Sequence, residues 1–105
     1  MLVTFEEQYL EELYRTGKSR DKKHRYQPDV VRRYAKCVYR LQEAITLEDL
    51  WRYPSLRYEV LSGDKAGISS VRVNDQYRVE FIVRKAEEEP IITVCNILEL
   101  SNHYK

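Results

Sequence analysis

Residues 56–83, LRYEVLSGDKAGISSVRVNDQYRVEFIV, decide how this chain folds. They read as strand, glycine-containing loop, strand, tight turn and strand. Within them the apolar residues alternate: Val71 and Val73, then Tyr77, Val79, Phe81 and Val83. A period of two marks a strand that lays one face on a core. Arg72, Arg78 and Glu80 fill the intervening positions, so the other face is charged. Asn74-Asp75 suits a hairpin turn, because both residues tolerate a left-handed backbone. On alternation alone, the charged positions are the solvated outer face of an ordinary amphipathic hairpin, as most charged strand residues are.

Working outward toward the N-terminus, Leu2 and Val3 suit a short first strand. Thr4 and Glu7 have the spacing of a capping box. Phe5, Tyr9, Leu10, Leu13 and Tyr14 then follow a helical stripe that Gly17 closes. Residues 17–26, GKSRDKKHRY, form a basic connector with five Lys or Arg and one Asp. It lacks apolar periodicity and is expected to be mobile, with His24 one more solvated residue. A second helix is predicted from Pro28 to Ile45, with Pro28 at the favourable first position. Its stripe is Val31, Tyr34, Ala35, Val38, Leu41 and Ile45. Thr46 caps a helical turn from Leu47 to Trp51, which Tyr53-Pro54 ends. Toward the C-terminus, residues 84–90 read as an acidic hairpin loop and residues 91–100 as a last strand, apolar in part on both faces and therefore central. Helices first and strands after them imply α+β: a small twisted antiparallel sheet with two N-terminal helices packed on one face.

The chain of 105 residues is expected to form one domain, and its 43% hydrophobic and 33% charged residues are ordinary for a soluble protein. No apolar run approaches the roughly 20 residues of a membrane span, and no secretion signal is visible. That fits a cytoplasmic protein, with Cys37 and Cys95 as reduced core residues. His24, Cys37, Cys95 and His103 have no zinc-site spacing, so no metal or other cofactor is expected. The loop 62–67 lacks the Gly-Lys-Ser/Thr ending of a phosphate-binding loop. A net charge of +1 hides an asymmetry: −4 over residues 1–14, +8 over residues 15–40 and −3 beyond. The basic block suits a polyanion or an acidic partner as well as a solvated surface.

No Ser-His-Asp or Cys-His signature is present. What remains is a basic and aromatic set. Arg72 and Arg78 flank the Asn74-Asp75 turn on adjacent strands. The last strand of a meander must run back toward that turn, which carries His103, Tyr104 and Lys105 toward Arg78. Two guanidiniums, an imidazole, a phenol and an ammonium suit metal-free cleavage of an RNA phosphodiester. Histidine transfers protons near neutrality, arginine pairs bidentately with phosphate, and tyrosine stacks on a base or donates a proton. On residue types alone, a terminal His-Tyr-Lys reads more readily as a frayed tail.

LSGD at 61–64, SSVRVNDQYRVEFIV at 69–83 and SNHYK at 101–105 together resemble the HigB group of the RelE/ParE superfamily, the toxins of type II toxin–antitoxin modules. FEEQYLEELYRTGKS at 5–19 is similar to that family's first helix and glycine, and residues 41–53 to its link into the sheet. The resemblance implies a single toxin domain over residues 1–105 that binds the ribosomal A site, cuts mRNA there and is held by a cognate helix-turn-helix antitoxin. It places Arg78 on the scissile phosphate, with Arg72, His103, Tyr104 and Lys105 as further catalytic groups. The order of His and Tyr is exchanged relative to the family pattern, and Asn102 stands where Asp is common. Glu59 and Ser62 occupy places where the family often has His and Lys. Lys65 or Arg57 could supply the missing charge, and Lys22, Lys23 and Arg25 of the basic block could meet RNA phosphates. Two other functions fit the same resemblance: a ParE-like DNA gyrase inhibitor without nuclease chemistry, and a degenerate toxin kept as an antitoxin-binding module.

Overall fold

The computed structural model describes residues 1–85 and 93–102. In chain order it contains β1 (Leu2–Phe5), α1 (Gln8–Thr16), α2 (Pro28–Glu43), 3-10 turns at Leu47–Arg52 and Pro54–Leu56, β2 (Glu59–Val60), a third 3-10 turn at Gly63–Lys65, then β3 (Ser69–Arg72), β4 (Tyr77–Lys85) and β5 (Thr93–Asn102). The five strands form one sheet in the order β1-β5-β4-β3-β2. The α+β segregation is as expected. β2 to β5 are the antiparallel meander, but β1 joins β5 in parallel, so the sheet is mixed rather than antiparallel. The reason is connectivity: between β1 and β5 the chain passes through both helices and the other three strands, and a parallel pair needs such a long excursion.

One face of the sheet meets the helices. Val71, Val79, Phe81, Cys95, Ile97 and Leu100 share a core with Leu10 and Leu13 of α1 and with Tyr34, Val38 and Leu41 of α2. The alternation read along 71–83 is the pattern of this burial: Val79 and Phe81 are fully enclosed. The Tyr34 hydroxyl, buried in the same layer, donates to the Leu10 carbonyl at 2.7 Å. β4 runs two residues past Val83, so Arg84 and Lys85 belong to the strand rather than to a loop. Residues 86–90 of the expected acidic loop, and Ile91 and Ile92 of the expected last strand, lie outside the described residues. β5 continues through Asn102, and a one-residue bulge leaves Leu98 without a partner between the Glu80–Glu99 and Phe81–Ile97 pairs.

Several local expectations change. The Thr4–Glu7 box does not form. Thr4 is extended in β1 and its hydroxyl donates to Asn96 Oδ1 at 2.7 Å, while α1 starts at Gln8. Strand pairing thus takes Thr4 and Phe5 out of the helix, and the Phe5 ring stacks 6.0 Å from Tyr14 instead. Gly17 ends α1 as expected, at φ +77°, where its N–H donates to Leu13. α2 stops at Glu43, because the Asp49 carboxylate accepts the N–H groups of Ile45 and Thr46 at 2.9 and 3.1 Å and starts the next turn. Ile45 is therefore outside the helix and 81% exposed. Backbone bonding to Asp49 holds its carboxyl below the usual range.

The connector is organised around Asp21, which accepts from Lys23 N–H at 2.9 Å and faces His24 Nδ1 at 2.8 Å. His24 is not a solvated bystander: its ring lies parallel to that of the buried Tyr9, 3.6 Å away.

Phe81→Ala should remove about 3–5 kcal/mol of unfolding free energy, since a fully enclosed aromatic leaves a cavity that surrounding strands cannot close. Urea denaturation followed by circular dichroism measures this, and a loss below 1 kcal/mol would mean that β4 is not the core strand.

Candidate active site on the open sheet face

The face of the sheet turned away from the helix core carries the other half of each alternation. Pairing aligns these residues in two rows. Arg72 of β3 lies opposite Arg78 of β4, which lies opposite Ser101 of β5. One step further along, Glu59 of β2 pairs with Ser70, Ser70 with Glu80, and Glu80 with Glu99. The face is not simply solvated. Ser70, Glu80 and Ser101 are buried, and the Arg78 side chain is only 12% exposed. Residues 61–68 lead from β2 to β3, and Lys65 of that loop reaches back to this face.

Arg78 Nη1 makes three contacts: Ser70 Oγ at 3.4 Å, the Arg57 carbonyl at 3.5 Å and Glu59 Oε1 at 4.0 Å. All are long, and among the described residues all fall on Nη1, while a guanidinium carries five N–H donors. Among the described residues the group is aimed but not saturated. Arg57, at φ +45°, is the single non-glycine residue with a left-handed backbone among the described residues. That turn ends Pro54–Leu56 and points its carbonyl at Arg78. Strain of this kind, of order 1–3 kcal/mol, persists where surrounding structure fixes it and clusters at functional sites. Arg72 pairs with Asp75 across the turn, and this guanidinium holds the Asp75 carboxyl below its usual range.

Lys65 lies on this face, but its charge is matched. Its ammonium donates to both oxygens of the buried Glu80 carboxylate at 2.9 and 3.1 Å. That hydrogen bond raises the Lys65 pKa, against a smaller opposing effect of desolvation. It therefore does not stand free to replace a missing cation, as the sequence suggested. Arg57 is exposed beside Arg78. Arg25 lies at the Gln76–Tyr77 end of the hairpin, and Lys22 and Lys23 are exposed in the connector. The return of the last strand toward the turn holds as far as it is described: Ser101 is opposite Arg78 and Asn102 opposite Tyr77. His103, Tyr104 and Lys105 lie outside the described residues. Among the described residues there is no cluster of His, Cys, Asp and Glu able to hold a metal ion, and no helix is long and apolar enough to cross a membrane. Cys37 and Cys95 are free and buried, and burial pushes their thiols up to about 12 and about 11.

The YoeB/ParE toxin from Agrobacterium tumefaciens superposes over 99% of this chain and 100% of its own with a TM-score of 0.56, at 16% identity, so the fold is that of RelE/ParE-like toxins. Residues 3–93 match the family profile of the HigB-like toxins, described as the RelE-like toxin of type II toxin–antitoxin system HigB. Toxin HigB-1 of Vibrio cholerae serotype O1 is 34% identical over 82 residues, which are 77% of this chain and 82% of that protein. The chain belongs to the HigB-like toxin family, whose members act within type II toxin–antitoxin systems.

Two participants escaped sequence reasoning. Glu59 figured there only as a departure from the family pattern, yet it is the carboxylate nearest Arg78 among the described residues. Glu80 read as a solvated strand residue, but loop 61–68 buries it and supplies its counter-ion from fifteen positions away. Its alternation with Arg78 marked the face, and nothing local marked the burial.

Lys65→Met should therefore destabilise the protein by about 1–3 kcal/mol at neutral pH, because a buried carboxylate loses its partner. The raised Lys65 pKa means that the pair contributes fully below the ordinary lysine range, and that its contribution fades as pH rises through the raised value. Urea denaturation of wild type and variant across pH 7 to strongly alkaline buffer should show the gap closing as pH rises. A gap that is constant, or absent at pH 7, would mean the pair is only a surface contact.

Proposed function

We propose that this toxin is a ribosome-dependent endoribonuclease that inhibits translation by cutting mRNA, with Arg78 at the scissile phosphate. The observation that carries the reading is Arg78 itself: a largely enclosed guanidinium, aimed by Ser70, Arg57 and Glu59, at the strand position opposite Ser101 of β5. Cleavage of RNA by its own 2′-hydroxyl needs a base, a stabiliser of the phosphorane and an acid for the leaving 5′-oxygen. Glu59, half-exposed and 4.0 Å from Arg78, is the carboxylate placed to accept the 2′-hydroxyl proton. Arg78 meets the charge that develops on phosphorus-bound oxygen, where a fixed donor acts mainly on the transition state. His103 or Tyr104 returns a proton to the leaving oxygen, and Lys105 and Arg72 add positive potential. These groups complete the chemistry without a metal ion. The ribosome and mRNA are then the targets, the antitoxin the restraining partner, and the cytoplasm the place of action.

Arg78→Ala should lower the single-turnover rate of mRNA cleavage on ribosomes by about two orders of magnitude or more, with ribosome binding little changed. Deleting residues 103–105 should abolish cleavage and growth arrest and leave the melting temperature nearly unaltered. His103→Gln should do more damage than Tyr104→Phe, since imidazole carries protons better near neutral pH. A deletion variant that still arrests growth would discard the nuclease and favour a DNA gyrase inhibitor acting through binding alone.

A further inference from the structure

A second site opens on the other side of the hairpin turn. α2 packs across the end of β3 so that a cleft of about 280 Å³ forms between the helix, the Pro54–Leu56 turn and the strand end. Arg32, Arg33, Lys36 and Arg40 line it from α2, Arg72 from β3, and Tyr53 from the link between the two short turns. Its floor is apolar, made of the buried Cys37, Leu56 and Val73. No acid lines it. Asp29 partners Arg32 and Arg33, and Asp75 partners Arg72, both from outside the lining, so five cations face two carboxylates for a net of +3. Among the described residues Lys36 and Arg40 have no carboxylate partner; Arg40 instead lies over the Tyr53 ring, 4.2 Å from its centroid.

Concentrating cations over an apolar floor is unfavourable unless an anion completes the site. The anion must offer several charges and something flat for Tyr53. A phosphodiester strand with unpaired bases offers both, since guanidiniums fork onto phosphate and bases stack on exposed aromatics. An acidic peptide offers the charges, and a flat group only where it also carries an aromatic side chain. Position supports the strand as well. Arg72, which lines the cleft, is the register partner of Arg78, so the cleft adjoins the open sheet face.

We propose that this cleft holds the single-stranded mRNA next to the bond positioned at Arg78, with Lys36 and Arg40 on backbone phosphates and Tyr53 stacked on a base. The proposal takes the identity of the strand from the nuclease reading, and its test requires no cleavage. The probe is a labelled single-stranded 2′-O-methyl RNA, which lacks a free 2′-hydroxyl and cannot be cut. Its affinity is followed by fluorescence anisotropy over a range of salt. Each neutralised phosphate on a single strand contributes about 0.7 to the slope of log affinity against log salt, so Lys36→Gln/Arg40→Gln should flatten it by about 1.4. Arg84→Gln/Lys85→Gln, equal in charge at the far end of β4, should leave it unchanged. Tyr53→Ala should weaken binding several-fold at an unaltered slope, and Tyr53→Phe should not. An unchanged slope in the cleft variant, equal flattening in the β4 control, or equal competition by duplex RNA would each overturn the proposal. So would a cleft variant that keeps RNA but loses a glutamate-rich peptide, which would give the cleft to an acidic protein segment. The expected slopes in a protein that cuts no mRNA would uphold the cleft and discard the nuclease.

Discussion

Everything on this molecule depends on the register of β4. Its residues alternate between a face that must be dry and a face that carries charge, and a slip of one position would exchange them. Phe81 and Val79 enter the helix-covered core while Arg78 and Glu80 stand on the opposite side. The hydrophobic term that stabilises the fold is thus the same constraint that aims the guanidinium. β3 and β5 copy the register outward, which places Ser70, Glu59 and Ser101 around Arg78 without further design.

The open face is held by ion pairs and long hydrogen bonds rather than by apolar packing. Among the described residues, Glu80 is buried but paired with Lys65, Arg72 with Asp75, and Arg78 has three long contacts through one nitrogen. Breaking a buried pair by removing one member is costly, whereas an arginine with unused donors can accept phosphate with little rearrangement. The Lys65–Glu80 pair also ties loop 61–68 to β4. That loop follows β2 directly, so the pair steadies the strand on which Glu59 sits.

Much of this was legible in the sequence because period-two alternation and turn chemistry act locally. Val71 to Val83 announced both faces of the hairpin, Gly17 the end of α1, and Pro28 the start of α2. The failures share one cause, which is partners remote in sequence. Thr4 left its capping box for Asn96, 92 residues away, and β1 became a parallel edge strand. His24 reads as solvated because Tyr9, whose ring it stacks on, is fifteen residues away in sequence. The basic block read as one undivided surface, while folding separates it into a connector ordered by Asp21 and a cleft completed by Arg72 and Tyr53. The place of Arg78 on the open face is legible because its alternation is local, whereas the nearness of Glu59 to it is not, because only strand pairing brings the two together.

The central claim is that this face performs RNA transesterification, with the 2′-hydroxyl as nucleophile and the 5′-oxygen as leaving group. End-group analysis of mRNA cut by purified toxin on programmed ribosomes tests it most directly. The account predicts new 5′-hydroxyl ends on the downstream fragments, paired with cyclic or 3′-phosphate ends upstream. Downstream 5′-phosphate ends, or intact mRNA from toxin that still arrests growth, would contradict it.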